Sequence, residues 1–146
     1  MTPTLVVASG KGGVGTSMIA SMIGVLAAER GEHVLLVDAT EGAGALHQLF
    51  ATRPVTSLWH LITPKSNPTH VLLAVDEHLV LVAGGTSASA APPSTDHERR
   101  AALMRLAYTF TRFDLVVIDA GSRLSSVAAI ADVTDAELLQ IGRAHV

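Results

Sequence analysis

Between Ser9 and Ser17 the chain reads SGKGGVGTS, with glycine at positions 10, 12, 13 and 15. Glycines at such spacing let successive backbone N–H groups turn inward and approach an anion closely, where a Cβ would block the path. A helix that begins directly after the loop adds the positive end of its dipole. The Ser17 hydroxyl stands where a phosphate-binding loop presents a ligand to Mg²⁺. Two further acids close apolar runs: Asp38 ends HVLLVD and Asp119 ends DLVVID. The chemistry suited to this set is capture of a phosphate group together with a hard divalent cation.

The elements around these residues fit that purpose. TLVVA, up to Ala8, is a short continuous apolar run, the form of a strand buried on both faces. From Ser17 to Arg30 the apolar residues Met18, Ile19, Met22, Ile23, Val25 and Leu26 recur at helical spacing, and Gly31 is a C-terminal stop. HVLLVD follows as a second buried strand. Strand, helix and strand in this order predict a βαβ unit with parallel strands. DLVVID is a third buried strand, preceded by the amphipathic RRAALMRLAYTFTRF, for which Thr95 and Glu98 have capping-box spacing. SSVAAIADV predicts a helix and AELL the start of a further strand. The expected fold is α/β: a mostly parallel sheet with helices on both faces.

The middle of the chain is less regular. EGAGALHQLF is rich in small residues before it turns helical, SLWHLI predicts a short helix, and PKSNPTH a loop. VLLAVDEHLVLVAGG reads either as a hairpin about Asp76–Glu77 or as a helix end followed by a strand from Leu79 to Ala83, and the second is preferred. The loop 84–94 has no assignable chemistry.

Composition excludes several classes. With 146 residues, 49% hydrophobic and 16% charged, the chain suits one domain with its own core. A net charge of −3 without a basic run argues against a dedicated nucleic-acid surface. Cysteine is absent, which removes disulfides, thiolate metal sites and cysteine nucleophiles. No signal-peptide pattern and no apolar run near the roughly 20 residues that cross a bilayer are found; the expectation is a soluble cytoplasmic protein. The histidines, including His33, His60 and His97, lack metal-ligand spacing, and Ser125 and Ser126 have no His/Asp partners for nucleophilic work. Trp59 is read as core, and Arg123 as solvated or partner-facing.

The loop KGGVGTS, with its leading lysine, resembles the deviant Walker motif K-G-G-x-G-K-[ST] of the MinD/ParA family of ATPases. GEHVLLVDATEG is similar to that family's second strand and first switch, and FDLVVIDAGSRLSS to its Walker B strand and second switch. The resemblance runs from Leu5 to Leu139, and DAGSRLSS and GALHQLF look most like the FlhG-type regulators of flagellar number. It implies a P-loop NTPase fold truncated at its C-terminal end, binding ATP and Mg²⁺. Gly10, Lys11, Gly12, Gly13, Val14, Gly15, Thr16 and Ser17 would hold the nucleotide, and Ser17, Asp38 and Asp119 the metal. A turn or cap residue is the lesser alternative for Asp38. Lys11 would reach the phosphates of a partner copy in a nucleotide-sandwiched homodimer. A flagellar or cell-pole protein is the implied further partner. The resemblance implies membrane contact only through a C-terminal helix beyond this segment, at the inner membrane face.

The departures from the motif are informative. Thr16 stands in place of the lysine that contacts the β and γ phosphates, Thr40 in place of the aspartate that positions the attacking water, and Ala45 and His47 in place of switch Asn and Asp. The expected result is weakened ATP binding and loss of most hydrolysis, with no confident catalytic residue. A non-enzymatic scaffold with a vestigial site is the alternative. A dinucleotide-binding oxidoreductase domain fits Asp38 but not Lys11, Ser17 or Asp119, and iron-protein relatives of nitrogenase need cysteines. Residues 1–139 are read as the N-terminal part of the nucleotide-binding domain. The segment 140–146, QIGRAHV, is read as a non-native tail. Its last six residues are one reading frame of a short-read sequencing adapter (ATC GGA AGA GCA CAC GTC), and the adapter's preceding AG completes a glutamine codon.

Overall fold

The computed structural model describes residues 2–10, 15–41, 45–85 and 91–142. Among these, six strands form one sheet: β1 (Thr4–Ser9), β2 (Val34–Asp38), β3 (Leu73–Ala74), β4 (Leu79–Val82), β5 (Leu115–Gly121) and β6 (Glu137–Ile141). Their spatial order is β3-β4-β2-β5-β1-β6. Every neighbouring pair is parallel except β3 with β4. Four helices accompany them: α1 (Thr16–Glu29), α2 (Leu46–Leu49), α3 (Asp96–Ala107) and α4 (Leu124–Val133).

Strand alternation divides the apolar residues between two cores. Val7, Leu36 and Val117 face Ala20 and Ala27 of α1 and Leu46 of α2. Their neighbours Val6, Val37 and Ile118 face the opposite layer of Trp59, α3 and α4. Because both faces are covered, β2 and the middle of β5 are buried throughout, which is why they read as unbroken apolar runs.

The helix ends carry local signals. At the end of α1, Gly31 takes φ 86°, and the N–H groups of Gly31 and Glu32 return to the carbonyls of Ala28 and Ala27. That is the left-handed closure glycine permits without a Cβ clash. At the start of α3, Thr95 Oγ1 accepts from Glu98 N at 3.2 Å. The return half of the box differs from expectation: Glu98 Oε1 accepts from the Ser94 N–H at 2.8 Å and its hydroxyl at 2.7 Å. These two donors hold the Glu98 carboxyl below its ordinary range.

One reading of the middle segment is overturned. Residues Leu73–Ala74 pair antiparallel with β4, Leu73 opposite Leu81 and Ala74 opposite Val80, so the stretch is a hairpin and not a helix end before a strand. Asp76 makes its turn, with Oδ1 accepting from the N–H groups of His78 and Leu79. PKSNPTH is also not wholly loop, since Pro68–Val71 forms a single 3₁₀ turn capped by Asn67. SLWHLI forms a 3₁₀ turn over Leu58–Ile62. β6 pairs with β1 through Gln140 beside Ala8 and Ile141 beside Ser9. No helix among the described residues is long and apolar enough to cross a membrane.

Candidate functional site at the carboxyl edge of the sheet

Parallel strands bring their carboxyl ends to one edge, and there Gly10 at the end of β1, the start of α1 and both acids come together. Asp38 and Asp119 are register partners on β2 and β5, and β1 beside β5 delivers the loop that starts at Gly10. The β1–β5 register slips between Val7, opposite Asp119, and Ala8, opposite Gly121. An extra residue at this point re-aims the neighbouring side chain.

Gly15 enters α1 at φ 82°, a left-handed value that suits glycine, with no side-chain cap on the helix. The first-turn N–H groups are therefore not claimed by a capping side chain. Thr16 is the first helical residue and is half-buried. Ser17 Oγ donates to Asp119 Oδ2 at 2.5 Å, joining residues 102 apart. Asp119 Oδ1 accepts from Gly121 N at 2.9 Å. Of the expected nucleotide ligands, Lys11, Gly12, Gly13 and Val14 lie outside the described residues.

Asp38 is fully buried and is occupied differently. Its Oδ1 accepts from Thr40 N at 3.0 Å and from the Thr40 hydroxyl, and Leu46 N lies 3.5 Å from Oδ2. The turn-forming alternative for Asp38 is thus present in the geometry. Gly84 packs against it so closely that an added Cβ would sit 2.7 Å from Oδ1. Burial raises the Asp38 carboxyl above its ordinary value of 3.8; the Thr40 hydrogen bonds oppose the rise and the charge of Asp119 adds to it. The native state therefore binds this proton more tightly than the unfolded chain. The associated stability is complete below 3.8 and is lost as pH rises through the native value. Asp38→Asn has no such proton to lose. Its thermal midpoint should gain on wild type as pH rises above 3.8; parallel midpoints above that pH would contradict the assignment.

The structure also assembles residues to which the sequence pattern assigned no role. Glu41, with 5% of its side chain exposed, takes Arg99 in a two-pronged pair, Nε to Oε2 at 2.5 Å and Nη2 to Oε1 at 2.9 Å. Hydrogen bonding to Glu41 raises the Arg99 guanidinium further above its ordinary value. Arg123, expected to face solvent or a partner, also donates Nη1 to Glu41 Oε1 at 3.1 Å. Trp59 is core as expected, but its Nε1 donates to the Thr40 carbonyl at 3.1 Å. His47 Nδ1 is buried with no hydrogen-bond partner among the described residues.

The donor set at Ser17 and Asp119 is a hydroxyl beside a carboxylate, hard oxygens of the kind Mg²⁺ takes. No group of three or more His, Cys, Asp or Glu that could hold a metal occurs among the described residues. Mg²⁺ bound with phosphates needs only one or two protein ligands, so the set fits such an ion.

A mostly parallel sheet covered on both faces, with acids near the carboxyl ends of β2 and β5 and a helix starting beside them, is a P-loop NTPase-like fold. The family model described as the CobQ/CobB/MinD/ParA nucleotide binding domain matches residues 5–141, and the chain belongs to that family. No curated protein matched the sequence. Among solved structures, cobyrinic acid a,c-diamide synthase from Mycobacterium smegmatis with bound ADP and magnesium is 26% identical, with TM-score 0.72 over 89% of this chain and 55% of that one. The Pyrococcus furiosus cell division ATPase MinD is 21% identical, with TM-score 0.72 over 95% of this chain and 59% of that one. The chimerical protein CapA2B2 is 19% identical, with TM-score 0.79 over 96% and 63%. The last two are similar in fold. The chain spans between 55% and 63% of the length of these three structures.

Proposed function

We propose that this domain is a MinD/FlhG-like switch that binds ATP with Mg²⁺ at a degenerate site and hydrolyses it poorly or not at all. The observation that carries the reading is the hydrogen bond from Ser17 at the start of α1 to Asp119 near the carboxyl end of β5. It brings together the two oxygens that would hold Mg²⁺ against the phosphates. Neighbouring folds support the same ligand: cobyrinic acid a,c-diamide synthase was solved with ADP and with an ATP analogue, each with magnesium. When bound, Mg²⁺ supplies charge that neutralises the phosphates, while the loop N–H groups orient them.

Loss of hydrolysis is argued from Thr16 and Thr40. Thr16 carries no charge for the developing phosphoryl transition state. Thr40 gives both its N–H and its hydroxyl to Asp38, which leaves its hydroxyl proton already committed. The FlhG branch rests on DAGSRLSS and GALHQLF. A homodimer through Lys11, a flagellar or cell-pole partner, a cytoplasmic location and membrane contact through a C-terminal helix extend the same reading to the intact protein.

Calorimetric titration with Mg-ATP tests the proposal. Wild type should bind, and Ser17→Ala should lose at least about tenfold in affinity, the worth of one charge-linked hydroxyl contact. Absence of binding by wild type would instead favour the non-enzymatic scaffold, a reading that the mutual satisfaction of Thr40 and Asp38 also supports.

A further inference from the structure

The segments that leave the carboxyl ends of β2 and β5, beside the two acids, touch at two further places. Ala39 N–H donates to the Asp119 carbonyl at 2.9 Å. Gly121, at φ 61°, lies so near Thr40 that an added Cβ would meet its methyl at 3.2 Å. Outside these contacts the Glu41 carboxylate joins both loops to α3. Arg99 is 10% exposed and is braced a second time by Asp96 at 2.7 Å. Arg123, on the other loop, is 59% exposed. Ser126 Oγ approaches Glu41 Oε2 at 3.4 Å. One carboxylate is thus pinned by an arginine that cannot leave without unpacking α3, and clasped by another that can swing into water.

We infer that Glu41, Arg99 and Arg123 are positioning residues that lock the Asp38–Glu41 loop to the Gly121–Arg123 loop, so that movement of one is passed to the other. The nucleotide trigger rests on the function proposed above; the coupling itself belongs to the ligand-free chain. Removing Arg123 leaves Glu41 paired with Arg99 and the Ala39 backbone bond in place, so the fold is retained and only the arginine's tie between the loops is cut. Trp59 is the chain's single tryptophan, and through the Thr40 carbonyl its indole reports on the first loop.

The test uses the whole chain as wild type, Arg123→Ala and Arg123→Lys, with Glu41→Gln as a second way to weaken the tie. Amide hydrogen exchange is measured without nucleotide, and Trp59 emission and calorimetry with Mg-ATP. In Arg123→Ala the hydrogen-bonded amides of Ala39 and Thr40 should exchange at least about threefold faster, with thermal midpoint nearly unchanged. Arg123→Lys should restore part of the protection. Mg-ATP should shift Trp59 emission in wild type, and by less than about half as much in Arg123→Ala at similar affinity. Unchanged exchange in both Arg123→Ala and Glu41→Gln overturns the coupling whatever nucleotide does. Faster exchange with no Mg-ATP binding by wild type upholds the coupling and removes the nucleotide reading. An undiminished Trp59 response in nucleotide-bound Arg123→Ala overturns the transmission.

Discussion

Thr16→Lys should tighten Mg-ATP binding by about ten- to a hundredfold. A charge-assisted hydrogen bond to phosphate is worth about 1.5–3 kcal/mol, and each 1.4 kcal/mol is a factor of ten. The opposing term is smaller. Thr16 is the first residue of α1, where a cation meets the positive end of the helix dipole at a cost of about 0.3–1 kcal/mol. Bound phosphate reverses that penalty, so the cost appears in the stability of the free protein and the gain in affinity. Calorimetry on the two proteins decides the matter: equal dissociation constants would show that the lysine is not the missing part. Hydrolysis should not return with affinity, because Thr40 remains tied to Asp38. Nor is Thr40→Asp a simple repair. It would set a second carboxylate against Asp38, where a hydroxyl now donates, and like charges at that depth repel.

The second large effect is structural. Arg99→Ala should cost about 3 kcal/mol, the lower end of the range for breaking a buried ion pair. The lower end applies because Glu41 keeps Arg123, whose side chain is 59% exposed and screened by solvent. For a chain of this size each kcal/mol moves the thermal midpoint by about 2–4 °C, so a drop of about 6–12 °C is expected. Part of the loss is the aliphatic stem, which packs whatever its charge does. The double variant Glu41→Leu/Arg99→Leu should recover much of the stability, since no charge is then left buried alone. A midpoint for Arg99→Ala within about 2 °C of wild type would mean that the pair contributes no more than an exposed one.

Arg99 also marks the limit of what local pattern conveys. It lies on the same buried face of α3 as Ala102, Leu103 and Leu106, at positions i, i+3, i+4 and i+7 of a core-facing stripe. An arginine at such a position signals an acid waiting for it, and that signal was available. Its partner, 58 residues earlier, could not be named from sequence, because charge pairing has no period. Glu41 likewise follows a strand-ending acid and opens a stretch of small residues, where no pattern marks it as buried. Trp59 was legible as core from its apolar neighbours, but the carbonyl that takes its N–H depends on where the β2 loop passes.

The carboxyl edge was legible for a plain reason. Buried parallel strands must be apolar along their length, so the acids at 38 and 119 stand out as strand ends, and the glycines at 10 to 15 announce a loop without side chains. Parallel pairing then places those ends together, and Ser17 follows from the helix that begins there. Those features are local or set by strand polarity, and the amino-acid order alone determined them. The hairpin at Leu73–Ala74 was not, since two residues are too short to show a period and β4 alone supplies their register. The commitment of Thr40 to Asp38, the bond from Ser17 to Asp119 and the three-sided grip on Glu41 were decided by tertiary structure, since each depends on how far separate loops approach once both faces of the sheet are covered.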